Sequence, residues 1–262
     1  MIARFLSIPI LRSCRHTLAT RICWYVSERK RGPNLFPFQQ LALCTVAATL
    51  SNTSKRKSYG GISVDRYKII FFLEDTAQEA FIRAMVERLI QDEGKNVQDY
   101  DLRVLNSRGG GSIRAYKDFL IQVKKRKYLD ADVLIVGSDG NCNGFVKRKQ
   151  QLLDASKSIP YPVVISAVPD PHIERWYLLD GQALAHAAGV PVKAVSPTVK
   201  CDKNHYKNLL KNAFTDQGIV PPFGGAEYGA IVAKSMDIYT AGTVDHSLRD
   251  FIDQVRSWLR RQ

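Results

Sequence analysis

Three polar side chains follow apolar runs of this sequence closely, where strands of a sheet are expected to end. Glu74 comes directly after YKIIFFL, and Asp139 and Asn141 come shortly after VLIVG. A fourth, Glu174, ends the segment PDPHIE, which follows the apolar run VVISAV. Carboxylates that gather at one edge of a sheet repel one another unless a cation neutralises them. Hard oxygen ligands of this kind suit Mg²⁺ or Mn²⁺, so the pattern predicts a divalent metal site.

Each of these residues also has a purely structural interpretation. Glu74 would stabilise the start of the next helix through the helix dipole. The stretch DGN at 139–141 is a common turn, and Glu174 would be an acid in the first turn of a helix. Glu74 and Asp139 follow strands that can be neighbours, and this pairing favours a functional metal site over the structural interpretations.

Alternating strands and helices must position these groups. The apolar runs predict strands, and residues with three- and four-residue apolar spacing predict helices between them. Such alternation predicts right-handed crossovers and an α/β fold with a mainly parallel sheet flanked by helices. Ligands of such sheets bind at the carboxyl ends of the strands. The predicted strands lie within 66–74, 100–107, 131–137 and 161–168, and the helices within 76–94, 113–127 and 145–156.

The first of these helices carries its own start and stop signals. Thr76 and Glu79 fit the T-x-x-E pattern of a capping box, and Gly94 fits the end of the helix. After the fourth strand the pattern becomes helical to the end of the chain. We therefore predict an α/β domain over 65–186 and a helical C-terminal appendage over 187–262.

The first 64 residues differ from the rest of the chain. They hold ten Lys and Arg but one acid, Glu28, whereas the remaining residues hold 28 basic and 24 acidic side chains. We interpret 1–64 as a basic extension that is disordered or non-native, with an organellar transit peptide as the alternative. Because the rest is only mildly basic, the pI of about 9.6 is weak support for a nucleic-acid partner.

The cysteines and the hydropathy pattern narrow the class of protein further. The five cysteines form no C-x-x-C motif, which argues against a zinc site and against a disulfide framework, and favours a cytoplasmic protein. No apolar run reaches the roughly 20 residues that a membrane span needs. We therefore expect no membrane partner.

Three basic residues are candidates for contacts with phosphate groups. Arg108 and Arg114 flank a glycine-rich loop in SRGGGSIR, and Lys147 lies just beyond the DGN turn. Backbone N–H groups of such a loop can bind phosphate, although an ordinary loop fits equally well. The loop is not a P-loop, because no G-K-[ST] follows.

With these residues identified, the sequence resembles the TOPRIM-type nuclease domain found in OLD-family nucleases and their small stand-alone relatives. That family pairs a glutamate after its first strand with an Asp-x-Asp after its third, around Mg²⁺. FFLEDTAQEAF is similar to the first motif and places Glu74 as the glutamate, while LIVGSDGNCNGF is similar to the second and places Asp139 as the first aspartate. PDPHIERWYLLD resembles a segment of the stand-alone relatives in which Glu174 would be a further acid. Two positions depart from the pattern, since Asp75 replaces a glycine and Asn141 replaces the second aspartate.

The resemblance implies a TOPRIM-like, Rossmann-like fold and a metal-dependent nuclease acting on DNA or RNA. Glu74 and Asp139 would be catalytic, and Glu74, Asp139, Asn141 and Glu174 would bind Mg²⁺ or Mn²⁺. Domains of this family often work with an ATPase. Because this chain has no Walker motif, the resemblance implies that such an ATPase would be separately encoded. It also implies a role in phage defence. The alternative is a non-catalytic module that binds nucleic acid or an ATPase through a degenerate metal site. A receiver-type or haloacid-dehalogenase-type phosphotransferase fits less well, and the sequence predicts no oligomeric state.

Overall fold

The structure, a computed structural model, describes residues 66–106, 113–125, 130–159, 163–189, 200–202 and 204–262. Within these residues the chain folds around a four-stranded sheet in which every neighbouring pair is parallel. The order β2-β1-β3-β4 places the first strand at the centre. The predicted α/β fold with a mainly parallel sheet flanked by helices is therefore confirmed.

The elements of the described chain are four strands and nine α-helices. The strands are β1 (Tyr67–Leu73), β2 (Tyr100–Asn106), β3 (Val133–Gly137) and β4 (Val164–Ala167). The helices are α1 (Thr76–Asp92), α2 (Ile113–Lys124), α3 (Phe145–Ser156), α4 (Ile173–Tyr177), α5 (Gly181–Ala188), α6 (His205–Thr215), α7 (Gly229–Ser235), α8 (Ile238–Val244) and α9 (His246–Leu259). Two short 3₁₀ helices cover Val97–Asp99 and Ala226–Tyr228.

Side chains of the central strand alternate between two cores, one on each face of the sheet. Ile69, Phe71 and Leu73 point into the larger core, which contains α1 and apolar residues of the C-terminal helices. Ile70 and Phe72 point into a smaller core formed with α2 and α3. Burial on both faces explains why β1 has the continuous apolar sequence of a central parallel strand.

The C-terminal helices share the larger core with the sheet. Trp176 of α4 is fully buried and stacks on Phe251 of α9, with ring centroids 5.8 Å apart, and its indole N–H donates to Ser247 Oγ at 3.0 Å. The Tyr177 hydroxyl donates to the carbonyl of Ala77 in α1 at 2.8 Å. These contacts fix the segment after β4 between α1 and α9, so the helices at the C-terminus help to position that segment.

The N-terminus of α1 is capped differently from the capping box expected from the sequence. Asp75 is the N-cap residue, and its carboxylate accepts a hydrogen bond from the backbone N–H of Gln78 at 2.9 Å. Thr76 is already the first helical residue, so the N-cap lies one residue earlier than the predicted capping box placed it. An aspartate at the N-cap stabilises a helix well, which gives a structural reason for Asp75 where the resembling family has glycine.

Among the described residues, no helix combines the length and the apolar character that crossing a membrane requires.

Candidate metal centre

The candidate site lies where the chain changes direction across the sheet. From β1 the chain proceeds to β2 on one side and then crosses to β3 on the other, so β1 and β3 form a topological switch point. Phe72 pairs with Val136, and this register brings Glu74 beside the residues that follow β3. The backbone N–H of Asp139 donates to Glu74 Oε2 at 3.2 Å. The predicted proximity of Glu74 and Asp139 is therefore confirmed.

A buried glutamine joins the two carboxylates. Gln78 in the first turn of α1 is fully buried, and its amide Nε2 donates to Asp139 Oδ1 at 2.9 Å and reaches Glu74 Oε2 at 3.5 Å. A Cβ on Gly137 would lie 2.6 Å from the Gln78 amide oxygen and 2.7 Å from Leu73, so the absence of a side chain at Gly137 makes room for this bridge. The amide supplies N–H groups between two anions without adding charge.

The other oxygen of Asp139 is bound by a histidine from the segment after β4. His172 Nδ1 lies 3.1 Å from Asp139 Oδ2, and both side chains are about nine-tenths buried. The same segment continues into α4, where Glu174 is only 6 % exposed. Lys207 of α6 lies near Glu174, with its Nζ 3.9 Å from the carboxylate, while the lysine side chain stays half-exposed.

The acids at this edge of the sheet influence one another electrostatically. Desolvation raises the pKa of the Asp139 carboxyl to about 6, an effect that the His172 hydrogen bond opposes and the negative charges of Glu74 and Glu174 increase. Burial likewise raises the pKa of Glu174. The hydrogen bond to Asp139 raises the pKa of His172. Without a cation, the site therefore holds its negative charge at a cost in free energy.

This cost gives a prediction for the metal-free protein. Because the folded-state pKa of Asp139 is raised, the folded protein binds more protons than the unfolded chain between about pH 4 and pH 6, and its free energy of unfolding falls as pH rises through that range. We expect the stability of Asp139→Asn relative to the wild type to rise by about 2 kcal/mol between pH 4 and pH 8, because the amide does not titrate. Urea unfolding in the presence of a chelator measures this.

The control for that experiment is Asp118→Asn, which changes an exposed carboxylate on α2. It should leave the free energy of unfolding nearly constant across the same pH range. A stability difference between Asp139→Asn and the wild type that stays constant from pH 4 to pH 8 would contradict the assignment of Asp139 as a buried acid with a raised pKa.

Asn141 lies at the rim of the site. It is exposed and has a positive φ of 46°, a conformation that asparagine tolerates better than most residues. Its side-chain amide donates to the Asp139 carbonyl at 3.4 Å. Arg148 of α3, which no sequence motif indicated, donates from Nε to the same carbonyl at 3.1 Å. Both residues thus hold the backbone that carries Asp139, and a role for Asn141 as a metal ligand stays a prediction.

The basic candidates are less closely connected to the acids. Arg108 lies outside the described residues. Arg114 of α2 and Lys147 of α3 are both exposed. Lys147 lines a groove of about 950 Å³ that runs between the start of α3 and the junction of α8 with α9. Their role in binding phosphate therefore stays a prediction.

The structure contains a disulfide, although the spacing of the cysteines argued against a disulfide framework. Cys142, next to Asn141, forms a disulfide with Cys201, and their Cα atoms are 5.5 Å apart. The two residues are separated by 59 positions in the chain, and only the fold brings the turn after β3 beside the segment before α6. Sequence spacing alone could not reveal this pair.

The donor types at this site suit a divalent cation. Carboxylate oxygens of Glu74, Asp139 and Glu174 accompany the imidazole of His172, and two of the buried polar atoms, His172 Nε2 and Glu174 Oε2, have no hydrogen-bond partner. Over the described part of the chain, however, no three His, Cys, Asp or Glu side chains converge closely enough to enclose a metal ion. The chemistry of the donors fits a metal, and full coordination would require further approach of the side chains or the addition of water and substrate ligands.

Two functional candidates, Gln78 and His172, were missed by reasoning from the sequence. Gln78 occupies an inward position of an otherwise apolar helix face, and His172 lies in PDPHIE, between the acids Asp170 and Glu174. A polar residue at an inward helical position was the available signal for Gln78.

Comparison of this chain with protein-family models, with curated proteins and with solved structures gives no match.

Proposed function

We propose that this protein is a metal-dependent phosphodiesterase that cleaves DNA or RNA. The observation that carries the proposal is the hydrogen-bonded approach of Glu74 and Asp139 at the switch point of a parallel sheet. Ligands of such folds bind at this place, and paired carboxylates are the groups that hold Mg²⁺ or Mn²⁺ against a phosphate. The raised pKa of Asp139 supports the proposal, because strongly perturbed acids cluster at functional sites.

Each residue has a distinct role in the proposed reaction. Glu74, Asp139 and Glu174 bind the cation, with Asn141 as a neutral ligand at the rim. When bound, the cation orients the scissile phosphate and lowers the pKa of the attacking water. Glu74 is the least buried of the three acids, so it can also accept the proton of that water.

The remaining residues hold these groups in place or approach the substrate. Gln78 and His172 fix the Asp139 carboxylate through its two oxygens. Lys207 is half-exposed next to Glu174 and is suited to contact a phosphate of the nucleic acid, as are Arg114 and Lys147 at greater distance. Phosphate contacts of this kind supply most of the affinity for nucleic acid and make it depend on salt.

A TOPRIM-like assignment is part of the same proposal. What supports it is a glutamate after the first strand beside an aspartate after the third, on neighbouring parallel strands. The assignment adds a separately encoded ATPase as a partner and a role in cytoplasmic phage defence.

A second candidate function is a binding module without catalytic activity. It is favoured by Asn141, which stands where the resembling family has an acid. Such a module would bind nucleic acid through its basic side chains and would show no metal-dependent cleavage.

A cleavage assay on the wild-type protein separates the two functions. Single- and double-stranded DNA and RNA are incubated with Mg²⁺, Mn²⁺ or a chelator, with binding of the same substrates titrated in parallel. Cleavage that depends on added metal and stops with the chelator supports the nuclease. Binding without cleavage under every metal, with or without a candidate ATPase, would favour the binding module.

A further inference from the structure

Two buried polar atoms at the candidate metal centre lack any hydrogen-bond partner. They are Nε2 of His172 and Oε2 of Glu174, and the two residues are 8 % and 6 % exposed. Buried polar atoms in folded proteins nearly always have a hydrogen-bond partner, because an unsatisfied one destabilises the fold. Each of the two atoms therefore has a lone pair or a proton that a bound group could satisfy.

The orientation of His172 determines which chemistry its free nitrogen offers. Asp139 Oδ2 is close to Nδ1 and, as a carboxylate, can only accept a hydrogen bond. Nδ1 must therefore carry a proton, so Nε2 has a free lone pair whenever the ring is neutral. A histidine that binds a metal through one nitrogen usually donates the other N–H to a carboxylate in this way.

We infer that His172 is a metal ligand through Nε2, together with Glu174, and that this mixed set selects Mn²⁺ over Mg²⁺. The inference rests on the proposed function only in requiring a metal at this site. Asp139 would then orient His172 through Oδ2, and the remaining lone pairs of its carboxylate would be available to coordinate the cation. An imidazole nitrogen binds first-row transition metals well, whereas Mg²⁺ strongly prefers oxygen ligands.

One positive side chain, Lys207, lies near Glu174. Its ammonium lies 3.9 Å from the Glu174 carboxylate, and its charge offsets part of the effect of burial, which raises the pKa of Glu174. The lysine side chain is 56 % exposed, so it can withdraw into solvent without disturbing the core when a metal binds. The alternative occupant of the same place is a buried water, which would satisfy both atoms by hydrogen bonds and show no preference among metals.

Metal titration without nucleic acid tests the inference. Binding of Mn²⁺ and of Mg²⁺ to the full chain is measured by calorimetry for the wild type, His172→Asn, Glu174→Gln and the control His186→Asn, which alters an exposed histidine of α5. The asparagine at position 172 retains a donor for Asp139 but lacks the second nitrogen. We expect it to weaken Mn²⁺ binding by at least about tenfold and to remove most of the preference for Mn²⁺. Glu174→Gln should weaken both metals, and His186→Asn neither.

Spin-echo spectroscopy of Mn²⁺ bound to the wild type gives a second measurement that does not depend on any variant folding. Modulation from an imidazole nitrogen is expected, and its absence would overturn the inference. An unchanged Mn²⁺ affinity in His172→Asn, or a wild type that binds neither metal, would overturn it as well. If Mn²⁺ binds with nitrogen modulation but no substrate is cleaved, the metal site stands and only the proposed function fails.

Discussion

Glu74→Gln and Asp139→Asn are each expected to reduce metal-dependent cleavage by at least about a thousandfold. Each change keeps the shape of the side chain and removes one negative charge from the edge of the sheet where β1 and β3 end. The loss follows because the metal would lose a charged ligand and the attacking water would lose its activation. The measurement is the initial rate of cleavage at saturating Mn²⁺ for purified proteins of equal folded fraction.

Glu79→Gln is the matched control for this comparison. Glu79 lies in the first turn of α1 and is half-buried, whereas the carboxylates that influence Asp139 electrostatically are those of Glu74 and Glu174. Its variant should cleave at nearly the wild-type rate. Binding of nucleic acid should be largely preserved in all three variants, because backbone affinity comes mainly from Lys and Arg. Full activity in Glu74→Gln would remove that residue from the centre.

Asp245→Ala is expected to lower the free energy of unfolding by about 3–5 kcal/mol. Asp245 is 1 % exposed, forms an ion pair with Arg175 of α4, and caps α9 by accepting from the backbone N–H of Leu248 at 2.9 Å. Removing the acid leaves the buried guanidinium of Arg175 without its charged partner. An uncompensated buried charge is far more costly than the loss of an exposed ion pair.

The control for this prediction is Asp253→Ala, which removes an exposed acid from the same helix. Urea unfolding of both variants should show a small change for Asp253→Ala and the large loss for Asp245→Ala. Arg175 also donates to the carbonyl of Asp170 at 2.8 Å, so the ion pair holds the segment that carries His172 and Glu174. A change below about 1 kcal/mol in Asp245→Ala would contradict the structural importance of this pair.

The fold and the two central acids could be predicted because they depend on local patterns. Continuous apolar runs identify buried parallel strands, and the carboxyl ends of such strands meet at one edge, so Glu74 and Asp139 could be placed together without coordinates. Their contact depends on β1 and β3 being neighbours, which follows from the order of the strands.

The surroundings of the acids could not be predicted in the same way. Gln78 reaches Asp139 only because α1 packs closely on β3 at Gly137. His172 reaches it only because the segment after β4 folds back over the edge of the sheet. These contacts depend on tertiary packing, and a single glutamine or histidine in a sequence carries no periodicity that would reveal them.

The most direct test of the central claim compares cleavage by Glu74→Ala, Asp139→Ala and the double variant under one set of metal conditions. If the two acids act at one metal centre, each single variant loses nearly all activity and the double variant is scarcely worse, because residues that work as a unit are strongly non-additive. Multiplicative losses, or metal-dependent cleavage that persists in purified Asp139→Ala, would contradict the claim that Glu74 and Asp139 form one catalytic centre.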